Sequence, residues 1–134
     1  MPPSKILGRT YIEKSMVAEG CILNSAKIEH SVIGIRARVD EDTTIQNSYV
    51  MGSDFYQNLD EISHNNENNI INIGIGKRCF INNTIVDKNC RIGNDVYLNG
   101  GHHLEDANTP FYTIKEGIIV VKKGATLPDG FRLE

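Results

Sequence analysis

Residues Ile73 to Leu98 read IGIGKRCFINNTIVDKNCRIGNDVYL, and the spacing within them decides the fold. The branched apolar residues Ile75, Ile81, Val86, Ile92 and Leu98 follow one another at intervals of six, five, six and six. An amphipathic helix repeats near 3.6 residues and a half-buried strand at about two, so this interval fits neither. A left-handed parallel β-helix supplies it. Each short strand points one branched side chain inward, the chain bends, and three such sides close a coil that stacks on the next. Glycine follows an isoleucine at Gly74, Gly76 and Gly93, where a bend favours a backbone without Cβ hindrance.

Upstream, from about Tyr11 to Met51, the expected inward residues are Ile22, Ile28, Ile33, Val39, Ile45 and Val50. Positions 22 and 39, 28 and 45, and 33 and 50 each differ by seventeen, as do 75 and 92, and 81 and 98. One period in two separated blocks argues for coils of three sides. A weaker partial coil precedes them around Ile6, Ile12 and Val17. The expected class is therefore all-β, a left-handed parallel β-helix of hexapeptide-repeat type with two inserted loops.

The first insertion, Ser53 to Asn72, reads SDFYQNLDEISHNNENNIIN, has no six-residue register, and suggests a helical turn through Gln57 to Ser63. A loop of that length is uncommon unless it touches a partner or ligand. The second, Asn99 to Thr113, carries adjacent His102 and His103, whose side chains diverge in an extended segment and do not share one metal readily. His64 has no ligand spacing around it. The tail offers an apolar strand, Ile118 to Val121, flanked by Lys115, Lys122 and Lys123, which suit an edge strand kept from pairing. Leu127-Pro128-Asp129-Gly130 reads as a closing turn. Leu133-Glu134 is set aside as a possible cloning remnant, and Pro2-Pro3-Ser4-Lys5 reads as an extended linker.

A net charge of −3 and a pI near 5.8 argue against a partner such as nucleic acid or an anionic membrane. No apolar run reaches the length of a membrane span, and the first residues lack a secretory core. Cys21, Cys79 and Cys90 are odd in number, form no CxxC, and are expected as free thiols in the core. They favour a reducing, cytoplasmic setting.

Several segments together resemble a known family. They are Pro2-Pro3-Ser4-Lys5, Glu29-His30-Ser31-Val32-Ile33-Gly34 with Arg36, and Val50-Met51-Gly52-Ser53-Asp54-Phe55-Tyr56. Ile73-Gly74-Ile75-Gly76, Val86-Asp87-Lys88-Asn89 with Arg91-Ile92-Gly93, and Ile114-Lys115-Glu116-Gly117-Ile118-Ile119 complete the set. In this order they are similar to the C-terminal β-helix domain of glucose-1-phosphate adenylyltransferase, over nearly the whole chain. The resemblance implies that residues 1–10 are a linker from an N-terminal catalytic domain and that 11–132 form the β-helix domain. In that family the catalytic domain joins ATP and glucose 1-phosphate to give ADP-glucose and pyrophosphate for glycogen or starch synthesis, with magnesium. This stretch itself is expected to need no cofactor and to be inactive alone.

The resemblance further implies that the β-helix packs against its catalytic domain and neighbouring subunits of a tetramer, and helps bind phosphate or a phosphorylated effector. The location implied is the cytoplasm, or the plastid in a plant. The family's anion-contacting lysines fall on Lys88 and Lys123, with Lys115, Arg36 and Lys122 as weaker candidates. Two converging cations suit an oxyanion, which accepts several charge-assisted hydrogen bonds. Asn99-Gly100-Gly101-His102-His103 departs from the family by losing a lysine. A stand-alone hexapeptide-repeat acyltransferase is the alternative and would use His30, His102 or His103 as general base. A metal-dependent trimer resembling γ-class carbonic anhydrase is a third.

Overall fold

The computed structural model describes residues 3–134; the first two residues of the expected linker lie outside them. Three walls of short parallel strands stack along one axis. The first wall contains Lys5–Leu7, Ile22–Asn24, Arg38–Val39, Gly74–Ile75, Arg91–Ile92 and Thr126–Leu127 in that order. The second contains Tyr11–Glu13, Lys27–Glu29, Thr44–Gln46, Phe80–Asn82, Tyr97–Asn99 and Arg132–Leu133. The third contains Met16–Val17, Val32–Ile33, Tyr49–Val50, Thr84–Val86 and Ile118–Val121. The chain visits the walls in turn, so each circuit is one coil and each strand pairs with its counterpart one coil away.

Register places one aliphatic column behind each wall. Ile6, Leu23, Val39, Ile75, Ile92 and Leu127 stack behind the first. Ile12, Ile28, Ile45, Ile81, Leu98 and Leu133 stack behind the second. Val17, Ile33, Val50, Val86 and Val121 complete the triangle. Strand residues alternate faces, so one branched residue per strand turns inward and its neighbours turn out. Each interior member contributes about 1.5–3 kcal/mol by leaving water.

Here the register differs from the expected one. Leu23, not Ile22, is the inward residue: Leu23 is fully buried and pairs with Val39, sixteen positions on. The corner at Ser25 is one residue shorter than its counterparts, so Leu23 to Ile28 spans five positions and the coil closes one residue early. Ile22 faces outward into a crevice shared with Phe55 and Tyr56. The coiling also begins earlier than residue 11. Lys5–Leu7 already pairs with Ile22–Asn24, and the Ser4 hydroxyl donates to Ala18 O at 2.9 Å while accepting from Cys21 N–H. Leu133 likewise belongs to the stack, paired with Leu98 and packed on the core.

Glycine acts differently from the expectation at Gly76, whose φ is not positive. A Cβ there would stand 2.6 Å from Gly93 O of the next coil, so close coil stacking excludes a side chain. Polar groups line one interior corner in a ladder. Ser31 N–H donates to Ser15 Oγ, Ser48 N–H to Ser31 Oγ, and Thr84 N–H to Ser48 Oγ, at 3.1–3.2 Å. Each of these hydroxyls donates in turn to a carbonyl of its own coil. Burial therefore costs no unmet hydrogen bond. The free cysteines occupy buried positions at the other corners, as expected.

Both insertions hold more structure than the sequence suggested. The first carries a helix, Leu59–Glu67, capped by the Asn58 side chain accepting from Glu61 N–H. It runs four residues past the expected turn, to a C-cap at Asn68 whose N–H and side-chain amide both donate to His64 O. The second folds back as Ala107–Asn108 and Tyr112–Lys115, which pair antiparallel, and Tyr112–Lys115 in turn pairs antiparallel with Ile118–Val121. That last strand is consequently interior to its sheet, not an edge, and its flanking lysines guard no open edge.

Candidate functional site

The corner leading from the third wall back to the first assembles the charged residues. Each circuit passes it with one residue in the left-handed region, among them Arg36 at φ 53, Gly52 at φ 89, Asn89 at φ 61 and Gly124 at φ 72. Gly52 is obligatory there, since a Cβ would also lie 2.0 Å from Ile35 O. Lys88 directly precedes Asn89 and Lys123 directly precedes Gly124, so the two lysines occupy the same step on adjacent coils. The ladder holds them there: Asp87 N–H donates to Val121 O at 3.0 Å and Gly124 N–H to Lys88 O at 2.9 Å. Neighbouring strands lie about 4.8 Å apart, which places the two ammonium stems side by side.

A third group completes the site. The Lys88 ammonium donates to Asp54 Oδ1 at 3.1 Å, and Asn89 Nδ2 donates to Asp54 Oδ2 at 3.1 Å. Asp54 N–H donates to Asn89 Oδ1 at 3.0 Å. The Asn89 amide and the Lys88 ammonium hold the Asp54 carboxyl below its ordinary pKa, and the charge of Lys123 adds to the effect. Lys88 and Asp54 remain 41% and 43% exposed, so a solute reaches both. The two ammonium groups share this open corner with the Asp54 carboxylate and with Asp87, whose carboxylate accepts from Lys88 N–H. Such a site can hold an oxyanion.

The weaker candidates are distributed differently. Arg36 Nε donates to Ser53 O at 3.0 Å, and Tyr56 Oη donates to Gly20 O at 2.9 Å. Arg36 thus fastens the start of the first insertion along this corner, two coils away from Lys88. Lys122 donates to Asn108 Oδ1 at 2.9 Å and ties down the second insertion. Lys115 pairs with Ile118, at the opposite end of the strand from Lys123, about 16 Å off at 3.3 Å per residue. It does not join the lysine pair.

Asp54 and Asn89 were not singled out from sequence, although both stand in quoted segments. They meet across thirty-five positions, one short of the thirty-six that separate the aligned Ser53 and Asn89, and only removing the nineteen residues inserted beyond one coil of seventeen reveals that alignment. His30 sits at a corner of the second coil, whereas His102 and His103 sit on the excursion of the fifth, so the fold does not bring them together. Burial pushes the Cys90 thiol, beneath the lysine corner, up to about 11, and also raises Cys21 and Cys79. These thiols are protonated at neutral pH and poor nucleophiles. A cleft of about 540 Å³ lies between the first insertion and the first wall and includes neither Lys88 nor Lys123.

Compared with protein families, residues 1–131 match the model described as the GLGC left-handed parallel beta-helix domain. The match spans every coil and both insertions, and supplies the hand of the winding.

Proposed function

Because the chain belongs to the GLGC left-handed parallel beta-helix domain family, we propose that it is the regulatory and assembly domain of a glucose-1-phosphate adenylyltransferase, binding phosphate or a phosphorylated effector at Lys88 and Lys123. The observation that carries this reading is the placement of those lysines on one step of consecutive coils, both solvent-facing at a shared corner. A phosphate group accepts several charge-assisted hydrogen bonds and is suited to two neighbouring ammonium groups.

On this reading catalysis, and the magnesium it uses, belong to a nucleotidyltransferase domain, and this stretch supplies no catalytic residue. The first coil suits a packing role. Its inward residues Ile6 and Ile12 are 55% and 38% exposed at the end of the stack, and Met16 beside them is 71% exposed. A catalytic domain or a neighbouring subunit of a tetramer would remove that apolar surface from water. Three buried free thiols favour a reducing compartment such as the cytoplasm.

The test is phosphate binding by wild type and Lys88→Ala. Expected is a loss of affinity of about fivefold or more with an unchanged melting midpoint, since Lys88 makes only an exposed ion pair. Unchanged affinity removes the effector role. A large drop in the midpoint makes Lys88 structural instead.

A further inference from the structure

A group of the protein itself already sits where an anion would bind. Both Asp54 carboxylate oxygens are engaged, one by Lys88 and one by Asn89, and the Asp54 backbone N–H closes the arrangement by donating to Asn89 Oδ1. Lys123, one coil further on, makes no ion pair or side-chain hydrogen bond among the described residues. Its charge nevertheless reaches Asp54. Lys88 is therefore paired with a tethered carboxylate, whereas Lys123 is not.

Resting on the reading of Lys88 and Lys123 as an anion site, we propose that Asp54 is a built-in competitor. An incoming oxyanion displaces it from Lys88, so every anion bears the same displacement cost and only one that also engages Lys123, such as a phosphate-type dianion, binds with appreciable affinity. A monocarboxylate arriving at Lys88 exchanges one singly charged group for another. It also loses translational and rotational freedom, a cost the tethered Asp54 does not bear. A dianion gains more, because its additional oxygens and charge engage Lys123 in the adjacent layer while it also takes Lys88.

Displacement leaves the corner intact. Rotation of the Asp54 side chain breaks its contacts with Lys88 Nζ and Asn89 Nδ2, but the backbone donation to Asn89 Oδ1 needs no carboxylate. Asn89 Nδ2 then becomes a third donor beside the two ammonium groups. The exposure of Asp54 means that its displaced carboxylate is taken up by water, so the exchange requires no opening of the core.

Titration with inorganic phosphate and, separately, acetate tests this at pH 8 and constant ionic strength, read by the amide resonances of Asn89 and Gly124. The proteins are wild type, Asp54→Asn, Asp54→Ser and Lys88→Ala, with Asp54→Ser as the second variant should the first misfold. Expected is phosphate binding tightened about three- to tenfold by loss of the carboxylate. Acetate should tighten by a similar factor while remaining the weaker ligand. Phosphate binding no tighter in the Asp54 variants than in wild type, yet lost in Lys88→Ala, overturns the competitor and leaves the anion site standing. A gain for acetate with none for phosphate overturns displacement of Asp54 by phosphate. No saturable phosphate response in wild type or either Asp54 variant overturns the anion site and the competitor together.

Discussion

Replacing Leu23 by alanine removes a side chain that water does not reach, whereas replacing Ile22 trims one in an open crevice. The expected costs are about 2–5 kcal/mol for Leu23→Ala and under about 1 kcal/mol for Ile22→Ala, measured by urea unfolding. A larger loss for Ile22→Ala would turn Ile22 inward in place of Leu23 and return that step to seventeen. The thiols set a pH limit at the same scale. Cys90 is held protonated from an ordinary value near 9.0 to about 11, and Cys21 and Cys79 shift in the same direction, in each case chiefly through burial. A raised folded pKa means that the unfolded chain ionises first, so the stabilisation is complete below about 9 and declines as pH rises towards about 11. Urea midpoints should fall over that window, and less steeply in Cys90→Ala. A flat profile would mean that the thiols are reached by solvent.

Within the elements, stability depends on hydroxyls as well as on aliphatic columns. Ser48 accepts from the Thr84 N–H and donates to Gln46 O, and Thr84 is buried. Ser48→Ala leaves that N–H without an acceptor, at an expected cost of about 1–3 kcal/mol by chemical denaturation. A neutral effect would indicate that water enters the corner and replaces the hydroxyl. The ladder of Ser15, Ser31, Ser48 and Thr84 is visible in the sequence once the coils are aligned. Serine in isolation reads as a turn residue, because nothing local says that another coil will cover it. The lysine flanks of Ile118–Val121 misled for a related reason. Whether a strand is an edge depends on what folds against it, and here Tyr112–Lys115 does.

At the scale of the whole molecule, the columns are continuous across the first insertion, since Val39 pairs with Ile75, Ile45 with Ile81 and Val50 with Val86. The helix Leu59–Glu67 buries only Asn65 and leaves Leu59 81% exposed. A protease nick within it should leave the strand circular dichroism intact and the halves associated on gel filtration, with the melting midpoint lowered by no more than about 5 °C. Dissociation on nicking would show that the insertion joins the two stacks. The aliphatic interval of five to six and the glycines beside it sufficed to indicate a coiled β architecture. Both are local, and each coil repeats the same short-range demand for one inward branched residue and one tight bend. Only the tertiary structure decided that Leu23 rather than Ile22 turns inward, that Leu133 extends a column, and that Asp54 reaches Lys88 and Asn89. Those outcomes depend on corner lengths and on surfaces that exist only after the coils have stacked, which no single stretch of chain specifies alone.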